Sequence, residues 1–177
     1  LDEGLPVVVC EPGCFSSLVD DLPDLIDDPA LGARVAGGVQ LIDHFLLQQL
    51  TSGRVDLEQL ARQARPRAPH SYLVHVHCHQ QALAGGEATR QLLTAISGAP
   101  AEVLDAGCCG MAGAFGYEKR HYELSLEIAE DRLFPAIRRM PAGARLIASG
   151  FSCRHQIADG LALPAIPLIE ELARLIV

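Results

Sequence analysis

The amino-acid sequence predicts an α/β fold with a parallel sheet, in which Rossmann-like βα repeats place helices on both faces. Short apolar runs rich in β-branched residues, such as residues 6–10, are typical of strands buried on both faces. Longer segments between these runs carry apolar residues at helical spacing. Regular alternation of the two kinds of segment implies parallel strands joined by right-handed crossovers.

The N-terminal elements begin with the strand at residues 6–10, which stops at a Glu-Pro-Gly-Cys turn over residues 11–14. Apolar residues then recur at helical spacing over residues 15–26. Pro23 interrupts this pattern, so we expect either one helix with a break or two short helices.

A second helical pattern covers residues 35–50 and predicts an amphipathic helix that ends at Gly53. Four of its residues are expected to face inward: Val39, Ile42, Leu46 and Leu50. The following residues, 54–69, are charged and contain two prolines, so they predict a helical or irregular connector at a lobe boundary.

The remainder of the chain alternates strands and helices. Predicted strands cover residues 72–79, which run into a loop, and residues 101–106, 145–149 and 165–168. Predicted helices cover residues 87–96, 122–140, 154–161 and 169–176. Within the second of these helices we expect a bend near Pro135 and an inward face formed by Leu124, Ile128, Leu133 and Ile137.

Residues 105–116 contain two adjacent cysteines in a loop with glycine at every third position. Cys108 and Cys109 are poorly placed to form a disulfide with each other, because the ring they would close is strained. Gly107, Gly110 and Gly113 would let the backbone adopt positive φ and approach a bulky inorganic group closely. The loop therefore predicts a cofactor site.

Two further cysteines are expected to join this pair. Cys108 follows Cys78 by 30 positions and Cys153 follows Cys109 by 44, so each interval holds about one helix and one strand. Successive strand ends can then return all four thiols to one edge of the sheet, where ligands of such folds bind. Four thiolates suit an iron–sulfur cluster or zinc. A helix that begins at Cys153, and another after Cys14, would present positive N-termini to an anionic cluster.

The histidines around Cys78 allow two interpretations. Strand alternation would place His75, His77 and His79 on one face, where they could be ordinary polar residues or metal ligands. His79, which follows Cys78 beyond the strand, is the best candidate to support the site. Cys10 is predicted to be a core residue, since it lies inside an apolar strand.

Three other side chains could act near the loop. Asp105 and Tyr117 could hydrogen-bond close to it, although a structural role is the simpler interpretation for each. A cysteine nucleophile paired with His155 has little support in the sequence.

Composition excludes several classes of function. The 177 residues carry a formal net charge of −8 and no basic runs, so no nucleic-acid partner is expected. The sequence contains no run of 18 apolar residues, the length needed to span a membrane, and no signal peptide is recognised. Six cysteines could form three disulfides, but metal-binding thiols in a reducing cytoplasm are favoured. Because the chain begins with Leu1, we expect a fragment of a longer protein.

Three motifs resemble the cysteine-rich CCG domain: residues 77–80 (HCHQ), 107–118 (GCCGMAGAFGYE) and 149–157 (SGFSCRHQI). That family includes the cysteine-rich subunit of heterodisulfide reductase and the iron–sulfur subunits of glycolate, glycerol-3-phosphate and L-lactate oxidising systems. The chain most resembles the C-terminal part of fused FAD-linked oxidases of the D-lactate and D-2-hydroxyglutarate dehydrogenase type. Residues 11–14 resemble the segment that closes the first of two CCG repeats.

The resemblance implies two pseudo-symmetric lobes, of which the first is truncated. Residues 1–69 would be the tail of the first repeat plus a helical connector, and residues 70–177 the second repeat with its cluster site. The cysteines that match the ligands of the second repeat are Cys78, Cys108, Cys109 and Cys153. Cys14 matches the tail ligand of the first repeat. Gly150 replaces one cysteine of the family's Cys-x-x-Cys ending, so a four-cysteine [4Fe-4S] site is implied in place of a five-thiolate cluster.

The same resemblance implies an electron-transfer domain of a flavin-linked 2-hydroxyacid dehydrogenase. Electrons would pass from FAD, bound by an upstream domain of the same chain, through the cluster to a quinone or another acceptor. Gly107, Gly110, Gly113 and His79 would shape the cofactor site. We expect a cytoplasmic location, with the inner face of the membrane as one place where the protein could act. The alternatives are a structural or regulatory zinc module that uses the same cysteines, with Cys153 or a neighbouring histidine as fourth ligand, and an interaction domain with inert cysteines.

Overall fold

A computed structural model describes residues 4–176 of the chain. In this range the strands are β1 (Val7–Val9), β2 (Val39–Leu41), β3 (Ser71–His75), β4 (Ala101–Val103) and β5 (Ala144–Ala148). The helices of the first half are α1 (Pro12–Ser16), α2 (Leu22–Leu25), α3 (Pro29–Gly38), α4 (Ile42–Thr51), α5 (Leu57–Ala64) and α6 (Cys78–Leu83). Those of the second half are α7 (Glu87–Ser97), α8 (Tyr122–Asp131), α9 (Leu133–Arg138), α10 (Phe151–Leu161) and α11 (Leu168–Ile176). Shorter turns are the π-helical Ser17–Asp21 and the 3₁₀-helical Arg65–Arg67 and Phe115–Tyr117.

The strands form two parallel sheets, which confirms the predicted α/β class. β1 pairs with β2 in a small sheet, and the larger sheet has the order β4-β3-β5. The predicted strand at residues 165–168 is reduced to one parallel bridge between Ile166 and Ile147. Because β3 lies between two parallel neighbours, the carboxyl ends of β3, β4 and β5 meet at one edge of the sheet.

Helices pack on both faces of the larger sheet, as predicted. On one face Tyr72 and Val74 of β3 belong to an apolar cluster with Leu92 of α7. On the other face Leu73 belongs to a cluster with Phe134 of α9. Alternate residues of one strand thus face opposite cores, as the pleat requires. Within the described residues, no helix is both long enough and apolar enough to cross a membrane.

A polar triad around a buried carboxylate attaches α11 to the start of the sheet. The Tyr72 hydroxyl donates to Glu171 Oε1 at 2.7 Å, and Arg145 Nη1 lies 2.5 Å from the same oxygen. Glu171 is completely buried, and burial together with this carboxylate raises the pKa of Tyr72. Since a buried carboxylate must be paired, the triad makes the burial of Glu171 tolerable.

The predicted helix over residues 35–50 is wrong in its first half. The structure ends α3 at Gly38, inserts β2, and begins α4 at Ile42. Gly37 and Gly38 weaken a helix, and the buried Val39 that follows is β-branched, which suits a strand. Pairing with β2 also satisfies the backbone groups of β1.

Prolines explain two further differences. The predicted helix over residues 122–140 breaks between Asp131 and Leu133. In a continuous helix the ring of Pro135 would clash with the carbonyl group of Asp131, and Pro135 has no N–H to donate to it. Leu124, predicted to face inward, is 48% exposed. Pro23 lies at the start of α2, directly after a π-helical turn, so the helical region continues past it to Leu25.

The N-terminal strand is also less buried than predicted. β1 pairs with one strand only, and Val7 remains 40% exposed. Cys10, predicted to be a core residue, lies just after β1 and is exposed. The core prediction for Cys10 is therefore wrong, because the strand ends before it.

Candidate cysteine site

Three strand ends deliver the four cysteines of the second predicted repeat to one region. Cys78 is the first residue of α6, which follows β3. Cys108 and Cys109 lie in the loop after β4, and Cys153 is in the first turn of α10, after β5. All four are free thiols at the edge of the sheet where the parallel strands end.

The four thiols form an inner pair and an outer pair. Cys109 and Cys153 are 5% and 1% exposed and belong to one apolar cluster. Cys78 and Cys108 are exposed. The pKa of Cys78 is raised, because part of its surface is buried and because Cys108 places a second charge nearby. The arrangement therefore reaches from the core of the domain to solvent.

A cavity of about 560 Å³ opens beside these thiols. Cys78, Cys108 and Cys109 line it, together with the aromatic rings of Tyr117 and Phe151. These two rings are 53% and 51% exposed, so they face both the cavity and solvent. The cavity gives the cysteines room for a group larger than a water molecule.

The inner pair is electrostatically asymmetric. The pKa of Cys109 is lowered, chiefly because its thiolate accepts a hydrogen bond from Cys153, with further hydrogen bonds from His75 and the Met111 backbone. Burial opposes this shift. The pKa of Cys153 is raised, because it donates to Cys109 and is itself buried. Cys109 is thus prepared as a thiolate, the form of cysteine that binds metal.

The glycine-rich loop has the positive φ angles that the sequence predicts. Gly107, Gly110 and Gly113 have φ of 61°, 89° and 65°. At Gly110 a Cβ atom would lie 2.0 Å from the carbonyl oxygen of Ser125 in α8, whereas nothing lies within 4 Å of such an atom at Gly113. The Gly110 N–H donates to Cys108 Sγ at 3.3 Å. Gly110 therefore packs the loop against α8, while Gly113 lines the cavity.

The three histidines do not share one strand face, so that prediction is wrong. β3 ends at His75, which is buried, and His77 precedes α6, where its Nδ1 accepts from the His79 N–H at 3.2 Å. His77 Nδ1 also lies 4.0 Å from Cys78 Sγ, and burial lowers the pKa of His77. His79 lines the cavity, and its Nδ1 is 2.5 Å from Ser16 Oγ.

Cys14 lies on a different element from these four cysteines. It is an exposed residue of α1 and does not line the cavity that Cys78, Cys108 and Cys109 share. The structure thus brings together the four cysteines assigned to the second repeat, while the role of Cys14 as a ligand of the first repeat stays a prediction.

The two polar residues near the loop each have a partner. Asp105 forms an ion pair with Arg132, which follows α8. The Tyr117 hydroxyl is 3.1 Å from His155 Nδ1. His155 is thus engaged with Tyr117 rather than with a cysteine.

Glu11 was not identified from the sequence, yet it lines the cavity and contacts two helices. Its carboxylate accepts from the backbone of Gly13 and Cys14 in α1 and, at 3.0 Å, from the Phe151 N–H of α10. The Glu-Pro pattern could have predicted the local contacts, because proline is favoured at the first helical position and a carboxylate is favourable at a helix N-terminus. No local signal could have predicted the contact with Phe151.

Among residues 4–176, no group of three or more His, Cys, Asp or Glu side chains is arranged so that it could hold a metal ion. The chemistry of the donor set fits a thiolate-bound group, because the four neighbouring cysteines supply soft sulfur ligands. The lowered pKa of Cys109 and the adjoining cavity agree with that chemistry.

No protein-family model matches the chain. The chain is similar to D-2-hydroxyglutarate dehydrogenase of Pantoea ananatis, with 28% identity over 172 residues. It is also similar to a subunit of the anaerobic glycerol-3-phosphate dehydrogenase of Escherichia coli, with 29% identity over 157 residues. A shorter match of 99 residues, at 38% identity, is to D-2-hydroxyglutarate dehydrogenase of Escherichia coli.

These matches cover most of the chain but a small part of the relatives. The first covers 94% of the chain and 16% of its relative, the second 88% and 36%, and the third 53% and 10%. The similarity predicted to D-2-hydroxyglutarate and glycerol-3-phosphate dehydrogenases is confirmed. The chain is thus similar to segments of dehydrogenases, which are oxidoreductases.

Proposed function

We propose that the chain is an iron–sulfur electron-transfer domain of a flavin-linked 2-hydroxyacid dehydrogenase. It would relay electrons from the flavin to a quinone or another acceptor. The observation that carries the proposal is the meeting of four cysteines from three strand ends, with the buried Cys109 and Cys153 in one apolar cluster.

Cys78, Cys108, Cys109 and Cys153 would hold a [4Fe-4S] cluster, which supplies reversible electron uptake when bound. The buried pair would fix the group to the core, and the exposed pair would leave it within reach of a partner. The Met111 N–H, which hydrogen-bonds Cys109, is the kind of contact that adjusts the reduction potential of a thiolate-bound cluster.

The predicted division into residues 1–69 and 70–177 is supported by a local correspondence. Cys14 is the third residue of α1, which follows β1, and Cys153 is the third residue of α10, which follows β5. Both are strand–turn–helix units with a cysteine in the first helical turn. This correspondence favours two related repeats, with the first represented by its tail.

The similarity to dehydrogenase segments supports a role inside a larger enzyme. Since the chain covers 16% of one relative and 36% of another, substrate oxidation and FAD binding would belong to other parts of such a protein. We propose that the domain acts in the cytoplasm. If its acceptor is a membrane quinone, the domain acts at the inner face of the membrane.

Anaerobic reconstitution with iron and sulfide tests this proposal. We expect a brown protein with about four iron and four sulfide per chain, the composition of one [4Fe-4S] cluster. Replacing Cys108 and Cys109 by serine should abolish iron uptake, while replacing Cys10, an exposed cysteine that does not line the cavity, should not. A colourless wild-type protein without bound iron would overturn the proposal.

A structural or regulatory zinc site is the second candidate. It is favoured by the His77 ring, which lines the cavity beside Cys78 and adds an imidazole to the thiol donors. Metal analysis of protein purified anaerobically from its native host separates the two. Zinc without sulfide supports this candidate, and iron with equal sulfide rejects it.

A further inference from the structure

One carboxylate joins the N-termini of two helices that lie far apart in the sequence. Glu11 Oε2 accepts from the backbone N–H groups of Gly13 and Cys14, the latter at 3.3 Å, and thereby caps α1. Glu11 Oε1 accepts from the Phe151 N–H at 3.0 Å, across 140 positions of sequence. Phe151 is the first residue of α10, the helix that carries Cys153.

This contact matters because α10 has no cap of its own. The first N–H groups of any helix lack partners within the helix, and a side-chain oxygen normally accepts from one of them. At α10 the capping position is Gly150, which has no side chain and makes no capping hydrogen bond. A negative charge is also favourable at a helix N-terminus, so the Glu11 carboxylate suits this position.

The surroundings of Gly150 explain why the cap comes from elsewhere. A Cβ atom on Gly150 would lie 2.4 Å from His77 Cδ2 and 3.1 Å from Cys153 Sγ. A serine or aspartate at this position would therefore collide with two residues of the cysteine site. Position 150 therefore requires glycine, which has no side chain that could cap α10. Glu11, from the N-terminal part of the chain, accepts the hydrogen bond from the first N–H of this helix instead.

Neighbouring contacts hold the same two parts of the chain together. Ser16 Oγ of α1 is 2.5 Å from His79 Nδ1 of α6. The buried Asp43 of α4 accepts from Gln80 Nε2 at 3.1 Å. His79 and Gln80 directly follow Cys78, so each of these contacts reaches a segment that carries a cysteine.

We propose that Glu11 is a positioning residue of the cysteine site, which fixes the first turn of α10 and thereby holds Cys153 against Cys109. The part of the test that uses iron and sulfide rests on the proposed function, whereas the part that measures the reactivity of the free thiols does not. The N-terminal part of the chain would then determine the geometry of a site whose cysteines all lie in the C-terminal part.

Alkylation of the reduced, metal-free protein by iodoacetamide tests the proposal, with modification of each cysteine followed by mass spectrometry. In the wild type we expect slow modification of Cys153, which is 1% exposed, and fast modification of the exposed Cys10. Glu11→Ala should raise the Cys153 rate by about five- to tenfold, because loss of a cap lets the first turn of α10 open more often. Glu11→Gln keeps an oxygen acceptor and should restore most of the protection.

The matched control is Asp28→Ala. Asp28 caps α3 with the same chemistry, accepting from the N–H groups of Ala30 at 3.0 Å and Leu31 at 3.1 Å, so these capping hydrogen bonds stay within its own helix. The change should leave the Cys153 rate as it is in the wild type. A Glu11→Ala rate within twofold of the wild type, or an equal rise in Asp28→Ala, would overturn the proposal.

Reconstitution with iron and sulfide adds a spectroscopic test. The electron paramagnetic resonance spectrum of reduced Glu11→Ala should differ from that of the wild type, and Glu11→Gln should resemble the wild type. If the wild type takes up no iron, the proposed electron-transfer function fails, and the alkylation rates alone decide the role of Glu11.

Discussion

At the scale of single residues, the inner cysteine pair shares one proton over a wide pH range. The lowered pKa of Cys109 and the raised pKa of Cys153 mean that the folded pair keeps one proton where two free thiols would keep two or none. Unfolded thiols titrate near a pKa of about 8.5. Below that value the unfolded pair therefore binds more protons than the folded pair, and above it fewer.

This sharing predicts a particular pH dependence of stability. The contribution of Cys109 is lost as pH falls through its lowered pKa, so the pair should stabilise the metal-free protein increasingly as pH rises toward about 8.5. Above that pH the contribution should decline, because unfolded Cys153 then ionises while folded Cys153 does not. Cys153→Ala removes the donor and should flatten this dependence. Urea unfolding midpoints measured over a pH series under reducing conditions provide the check.

The control for this prediction is Cys10→Ala, which removes an exposed thiol outside the pair. Its curve should run parallel to that of the wild type. Parallel curves for Cys153→Ala and the wild type would contradict the shared proton. Subtracting the Cys153→Ala curve from the wild-type curve also cancels the contribution of every other titrating group.

At the scale of elements, the cysteine loop depends on close packing against α8. Gly110 has φ of 89°, and a Cβ atom there would lie 2.0 Å from the Ser125 carbonyl oxygen. Gln156 Nε2 donates to that same oxygen at 2.8 Å. The loop, α8 and α10 therefore meet at one backbone carbonyl, which leaves the loop little freedom to move away.

Gly110→Ala should destabilise the metal-free protein by about 2–4 kcal/mol, because it adds a backbone collision to an unfavourable φ. Gly113→Ala is the matched control, since Gly113 has φ of 65° but open space around it. That change should cost about 1–2 kcal/mol, the strain of the left-handed conformation alone. Urea unfolding measures both, and equal losses would show that packing against α8 contributes nothing.

Elements with a strong local pattern were predictable, and those that depend on distant partners were not. The helix predicted over residues 87–96 matches α7, which ends at Ser97 with Gly98 at φ of 73°. β2 was missed because Val39 also fits the helical period of Ile42, Leu46 and Leu50. What makes this segment a strand is its pairing with β1, about 30 positions earlier, which leaves no mark in a local window.

The same distinction applies to the cysteine site. The sequence could predict that three cysteines lie near one another, namely Cys78, Cys109 and Cys153. Parallel strands end at one edge of the sheet, and the intervals between these cysteines have the length of βα units. The partners of these cysteines could not be predicted. Glu11 reaches α10 across 140 positions, and its position follows from how the N-terminal part packs on the rest.

At the scale of the whole molecule, the proposed cofactor would connect three segments that follow three neighbouring strands of the larger sheet. Its four ligands come from the start of α6, the loop after β4 and the first turn of α10. A group bound to all four would cross-link the carboxyl ends of three strands. Binding to the folded chain alone also stabilises it by mass action.

Reconstitution with iron and sulfide should therefore raise the unfolding temperature of the protein by several degrees, with anaerobic removal of the iron by a chelator reversing the rise. A gain of about 3 kcal/mol corresponds to roughly 6–12 °C for a chain of this size. Circular dichroism under anaerobic conditions measures the transition. Cys78→Ser should reduce the gain, because it frees α6 from the cross-link, whereas Cys14→Ser should leave it intact, since Cys14 matches a ligand of the first repeat and not of the second. A bound cluster that leaves the unfolding temperature unchanged would place the cofactor away from these strand ends.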